Sequence, residues 1–153
     1  MNKEETLPLG EFKERVRRDP FAQLLGIEID QVRKGYARVS LKIKDKFKNF
    51  SGYVHGGLIF SLADQAFAAA SNSMGILALG LQMNISYISA ARVGDKLVAE
   101  ANQVNFGKRI SVYKIEVRNT SGKLIADCQG TVYQKIRKEK NEGKGKGHEP
   151  YKL

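Results

Sequence analysis

The chain has 153 residues and a mass of 17.0 kDa, enough for one domain with a real core but too little for a catalytic domain beside a separate substrate domain. With 42% hydrophobic and 27% charged residues, it reads as an ordinary globular protein: no apolar run has transmembrane length, and Met1 to Gly10 hold no signal-peptide core. The sole cysteine, Cys128, leaves no internal disulfide, so a cytoplasmic protein with no membrane partner is expected.

The formal charge of +10 raises the question of a nucleic-acid partner, and its distribution answers it. Residues 135–153 hold seven Lys/Arg against three Glu, a net of +4 that leaves +6 for the rest of the chain. This segment mixes Lys, Gly and Glu with almost nothing apolar after Ile136, which predicts a disordered, solvated tail. No basic motif interleaved with aromatic residues appears, and one Cys with two His builds no zinc-finger spacing, so neither nucleic acid nor a metal is expected.

In residues 1–23, Phe12 and Val16 lie four apart among charged residues. This predicts a short amphipathic helix over Gly10–Asp19, stopped before Pro20, at one edge of the domain. Gly26–Gln31 and Tyr36–Ile43 alternate apolar and polar residues around Arg33-Lys34-Gly35, the pattern of a β-hairpin. After a loop rich in Lys, Asn, Ser and Gly, the spacing turns helical from about Gly57 to Met74, with Ile59, Leu62, Ala63, Ala66, Phe67 and Ala70 on one face. The other face carries small Ala and Ser residues, so burial nearly all round is expected, by a sheet wrapped on the helix and by dimerisation. Four strands follow, Leu77–Ser89, Lys96–Phe106, Arg109–Asn119 and Lys123–Gln134, punctuated by Gly94-Asp95, Gly107-Lys108 and Ser121-Gly122. A hairpin, one helix and an antiparallel meander pack most economically as an α+β unit, a curved antiparallel sheet around a central helix.

Between Asn49 and Ala91 the sequence holds a single carboxylate, Asp64, and a single histidine, His55. A lone acid in an apolar helical pattern has to be neutralised by burial or given polar partners, which marks it for chemistry. Gly56 and Gly57 lie where the loop enters the helix. Unpaired N–H groups there, aided by the helix dipole, can stabilise a negative oxygen that glycine lets approach closely.

The stretch Asn49-x-x-Gly52-x-x-His55-Gly56-Gly57-x-x-Phe60-Ser61-Leu62-Ala63-Asp64-x-Ala66-Phe67 resembles the motif of hotdog-fold acyl-CoA thioesterases of the phenylacetic-acid-pathway type. That group also resembles small thioesterase-superfamily proteins of animals. The likeness runs from about Leu24 to Tyr133, which implies a hotdog domain over 24–134. It implies that Asp64 is general base or nucleophile, acting from one subunit on a thioester polarised by the Gly56 N–H of its partner. Asn49 and His55 would then orient the water or thioester and brace the loop, with Gly57 beside them on the substrate side. Coenzyme A carries phosphates, so Lys108 and Arg109 in the turn after Gly107, and Arg92, are the candidate cations. The resemblance implies an acyl-CoA substrate, aromatic (phenylacetyl or hydroxyphenylacetyl) or short-to-medium aliphatic. It also implies a homodimer or homotetramer, and no cofactor beyond the coenzyme A of the substrate. Where many relatives carry a Ser or Thr in the strand after the helix, this chain reads Gly80-Leu81-Gln82. The competing readings are an acyl-thioester hydratase or dehydratase on the same fold and a non-catalytic acyl-CoA-binding module. The His-Gly-Gly entry favours hydrolysis over the first, and the retained Asp64 opposes the second.

Overall fold

The computed structural model describes residues 8–135; of the basic segment 135–153, all but Lys135 lies outside them. The expected N-terminal helix is α1, Leu9–Arg17, whose Phe12 and Val16 pack against the core. The helix stops before Pro20, as the sequence predicts, and Pro20 then opens a second helix that the sequence reading does not include, α2, Pro20–Leu25. Proline at the first helical position sacrifices no hydrogen bond. The Asp19 carboxylate caps the turn, accepting from the Ala22 N–H at 2.8 Å, and Gly26 ends it at φ 77°.

The remaining elements are β1 Ile27–Arg33, β2 Tyr36–Lys42, α3 Gly56–Asn72, β3 Ala78–Tyr87, β4 Lys96–Phe106, β5 Ile110–Asn119 and β6 Leu124–Gln134. The six strands form one sheet in the order β1-β2-β4-β5-β6-β3 with every pairing antiparallel. Only β4, β5 and β6 make the expected meander. The strand after the helix, β3, lies at the far edge beside β6, with Ile85 opposite Cys128 and Met83 opposite Gly130. The connection 88–95 explains the difference. Its Ile88 and Ser89 N–H groups bond to Ile125 O at the start of β6, and Gly94 N–H bonds to Ile43 O at the end of β2. The loop therefore crosses the whole end of the sheet before β4 begins.

The concave face of the sheet holds α3. Leu62, Ala63, Ala66 and Ala70 of the helix and Val39, Leu97, Ala99, Ile115 and Val117 of the strands are fully buried. Alanines on both sides of this contact let the helix axis lie close to the sheet, and Phe67 fills the space over Gly80 and Gly130. The sheet of one chain covers only part of α3, leaving the rest to the expected dimerisation: Gly57, Asp64 and Ala68 are exposed and Ser61 half-buried, a stripe turned away from the sheet. Their spacing of three or four residues puts them on one side of the helix. Among the described residues the outer edge of β3 is likewise unpaired, and it carries the exposed apolar residues Leu79 and Leu81, which isolated proteins seldom leave open. The opposite edge, β1, packs against α1 and α2. Among the described residues, no helix is long and apolar enough to cross a membrane.

Candidate active site

A short 3-10 turn, Asp45–Phe47, leads into a loop that Asn49 organises. Its Oδ1 accepts from the Ser51 N–H at 2.9 Å and the Tyr53 N–H at 3.1 Å. Its backbone N–H donates to Tyr53 O at 2.7 Å, while Gly52 reaches back to Asn49 O at 3.0 Å with φ +82°, a value that favours glycine. Asn49 thus closes the turn before the helix, the bracing part of its expected role. Its Nδ2 makes no hydrogen bond among the described residues.

His55 is the N-cap of α3, and its Nδ1 accepts from the Gly57 N–H at 2.9 Å. That bond requires a bare Nδ1, so the neutral ring carries its proton on Nε2. The His55 backbone N–H donates to Phe47 O at 2.9 Å, anchoring the cap to the preceding turn. The next amide, Gly56 N–H, has no acceptor among the described residues. It is one of the orphan donors that a helix start presents at its positive end.

Beside this amide lies a groove of about 270 Å³ lined by Tyr53, Val54, Gly56, Ile59, Tyr87 and Ala91, among others. Arg92 follows directly on that wall, its backbone N–H donating to Asp95 Oδ2 at 3.0 Å. Tyr87 is a residue that the sequence motif did not single out. Its hydroxyl donates to Gly56 O at 3.1 Å, and its ring stands 3.2–3.4 Å from where a Cβ on Gly56 would be. The signal that marks it is parity: Met83, Ile85 and Tyr87 alternate toward the helix side of β3, so the last of them meets the helix start. A second groove, of about 280 Å³, lies on the outer face of the sheet among Arg38, Glu100, Glu116 and Arg118. Its charges pair with one another, Arg118 with Glu116 at 2.8 Å and Arg38 with Glu100 at 3.6 Å, as expected of a solvated sheet face.

Asp64 stands on the open stripe of α3 and makes no hydrogen bond or ion pair among the described residues. Although its side chain reaches solvent, burial against the surrounding protein pushes its carboxyl above the usual carboxylate range, and the Asp19 charge adds to the effect. Eight residues of helix separate it from Gly56, about 12 Å along the axis. One thioester carbonyl therefore cannot touch both groups of the same chain.

Lys108 and Arg109 occupy the β4–β5 turn, whose Gly107 has no room for a side chain: a Cβ there would lie 2.2 Å from Ile110 O. The turn sits at the opposite end of the sheet, where Gln134 N–H bonds to Arg109 O and Lys135 N–H to Leu77 O. Strand β4, 11 residues long, runs between that end and the Arg92 end, about 35 Å of extended chain. One chain thus brings together Asn49, His55, Gly56, Gly57 and Arg92, leaves Asp64 midway along the helix, and sets Lys108 and Arg109 apart.

Residues 51–126 match the family model described as the thioesterase superfamily. A protein of Archaeoglobus fulgidus whose esterase designation is provisional is 48% identical over 118 residues, 77% of each chain. The acyl-coenzyme A thioesterase PaaI of Escherichia coli K12 is 38% identical over 116 residues, covering 76% of this chain and 83% of its own. A structure of the E. coli PaaI protein from the phenylacetic acid degradation operon superposes with a TM-score of 0.78 over 84% of this chain and 97% of that one, at 32% identity. A thioesterase-class protein of Streptococcus pneumoniae TIGR4, solved with coenzyme A, superposes at a TM-score of 0.68 with 28% identity, covering 71% and 87%.

Proposed function

We propose that the chain, a hotdog-fold member of the thioesterase superfamily, is an acyl-CoA thioesterase that works through a site shared by two copies. Gly56 N–H of one copy receives the carbonyl oxygen of the thioester, and Asp64 of the other stands over the carbonyl carbon. Water adds to that carbon as Asp64 takes its proton, and the oxyanion rests on the amide. Collapse breaks the C–S bond, and the coenzyme A thiolate leaves with the proton. Direct attack by the carboxylate, giving an anhydride that water then opens, uses the same groups. The reading is carried by one observation: an unpaired helix-start amide and an unpaired carboxylate, both accessible, stand too far apart on one helix to serve one carbonyl. A second copy resolves this by pairing its β3 edge antiparallel with the open β3 edge of the first, which covers Leu79 and Leu81. Such dimers pair further into tetramers in our reading.

Asn49 Nδ2 and His55 Nε2, both free to donate, orient the water or the thioester. Lys108, Arg109 and Arg92 meet the phosphates of coenzyme A, and Gly57 keeps the approach to the carbonyl open, since a Cβ there would crowd the His55 ring at 3.0 Å. The scheme needs no metal or organic cofactor. The acyl group is aromatic, of the phenylacetyl or hydroxyphenylacetyl kind, or short-to-medium aliphatic. The test is release of free thiol from a panel of such acyl-CoAs by the wild type and by Asp64→Asn. Turnover lost in the variant while acyl-CoA binding persists supports the scheme. Wild-type binding without turnover on any member replaces it with the ligand-binding module.

A further inference from the structure

We propose that Tyr87 is a positioning residue for the hydrolysis, its hydroxyl holding the Gly56–Gly57 peptide that directly follows the oxyanion donor, Gly56 N–H. This rests on the thioesterase reading of Gly56. The Gly56–Gly57 peptide unit is gripped at both ends: its carbonyl accepts from Tyr87 OH at 3.1 Å, and its N–H donates to His55 Nδ1 at 2.9 Å. Two successive glycines are the most mobile backbone a chain can place at a catalytic amide, and neither has a side chain to limit rotation. The Gly56 N–H lies in the preceding peptide plane, His55–Gly56, and the torsions at Gly56 couple that plane to the following one. The preceding plane is fixed through His55, whose N–H is bound to Phe47 O at 2.9 Å and whose carbonyl accepts from Leu58 N–H at 3.0 Å. The following plane is fixed by the clamp. His55 belongs to the loop it braces, whereas Tyr87 brings in a separate, rigid element. It ends β3 in register with Ala126, and the next two residues, Ile88 and Ser89, bond to Ile125 O at 2.8 and 3.2 Å. Tyr87 thus ties the oxyanion amide to the sheet.

The ring has a separate part, lying on Gly56 where a side chain would otherwise stand and forming one wall of the groove beside the amide. Burial, and to a smaller degree the neighbouring Cys128, hold the phenol above its ordinary range, so it stays a donor throughout a neutral assay. Hydroxyl and ring are separable by substitution. Tyr87→Phe keeps the wall and removes the clamp, and because Tyr87 is 53% exposed the variant folds. Losing an oxyanion donor outright costs about 10²–10³ in kcat, and loosening one while leaving it in place costs a fraction of that, roughly tenfold. Tyr87→Leu removes the wall as well and raises KM.

The experiment measures kcat and KM of wild type, Tyr87→Phe and Tyr87→Leu on acyl-CoA, together with amide hydrogen exchange at Gly56 and Gly57 in glycine-labelled full-length protein. The expected result for Tyr87→Phe is a roughly tenfold fall in kcat at unchanged KM, with faster exchange at Gly57 and an unchanged melting temperature. Unchanged kcat, or a loss carried by KM alone, overturns the proposal, as does glycine exchange identical to wild type. A wild type without turnover overturns the hydrolase reading instead, and the exchange data then decide separately whether Tyr87 holds the peptide.

Discussion

Gly130→Ala probes the contact that seats α3 on the sheet. A Cβ at Gly130 would stand 2.6 Å from Cε2 and Cζ of Phe67 and 2.9 Å from Cδ2, distances that real methyl contacts do not reach. The ring has nowhere to go: Phe67 is 3% exposed, meets Tyr113 edge-on with centroids 5.7 Å apart at 66°, and approaches to 3.7 Å the point where a Cβ on Gly80 would lie. Either α3 lifts or β6 gives way. Overpacking of this kind costs about 1–3 kcal/mol. In a chain of this size each kcal/mol moves Tm by about 2–4 °C, so a fall of roughly 2–12 °C is expected in a thermal melt. Phe67→Leu in the same background relieves the clash, so the double variant is more stable than the sum of the two single losses allows. Because Phe67 lies one helical turn beyond Asp64, the single variant also lowers kcat more than it raises KM. A Gly130→Ala protein that melts with the wild type would refute the close approach of helix and sheet, and with it the placement of Asp64 derived from that packing.

The Asp64 carboxyl is raised above its usual value of 3.8, so between that value and its native one the folded state binds more protons, and stability falls as pH rises through the window. Asp64→Asn removes the penalty: the variant is inactive yet melts above the wild type at neutral pH, and the difference closes as pH falls below the ordinary carboxylate range. Asp19→Asn removes the like charge that adds to this shift, moving the acid limb of the pH profile of kcat/KM to lower pH; an unmoved limb would separate that limb from Asp64. Asn49→Ala loses the acceptor of two exposed loop amides and is destabilised by about 0.5–1.5 kcal/mol. Asn49→Asp keeps both accepted bonds and recovers stability without recovering turnover, and full recovery of both would reduce Asn49 to a brace.

The fold is legible in the sequence where local signals and tertiary placement agree. Strand β4 spans Lys96–Phe106, the limits its residues predict, because its apolar alternation and bounding glycines belong to the strand itself. The position of β3 is not legible. Adjacent strands in sequence usually pair, but the 88–95 connection is long enough to cross the sheet end, and its anchors are backbone bonds to Ile125 and Ile43 that no side chain announces. Helix α2 is hidden when Pro20 is taken as a stop, although Asp19 before it and Gly26 after it are cap and terminator. At the site, being the lone acid and the lone histidine between Asn49 and Ala91 is enough to mark Asp64 and His55 from sequence alone. Tyr87 escapes because its contribution is one hydroxyl reaching a backbone carbonyl 31 positions away, a contact set by the register of β3 against β6.

The scatter of the candidate residues within one chain becomes an argument about assembly. Arg92 lies at the end of the sheet where α3 begins, and Lys108 and Arg109 lie where α3 ends. Binding one coenzyme A with all three cations of a single copy is impossible across that span. In the dimer we propose, antiparallel pairing of two β3 edges would reverse the second copy: its α3 would run opposite to the first, and its Lys108–Arg109 turn would come to the end that holds the first copy's Gly56 and Arg92. A pairing register that also offsets the two antiparallel helices by about 12 Å would bring Asp64, the ninth of the 17 residues of α3, alongside the facing helix start. One symmetry operation thus answers three separate features of the chain: the apolar strand edge, the open stripe on the helix, and the cations divided between the two ends of the sheet. On that proposal nucleotide-side binding and chemistry would both be built across the interface, so dilution to monomer is expected to abolish turnover and coenzyme A affinity together.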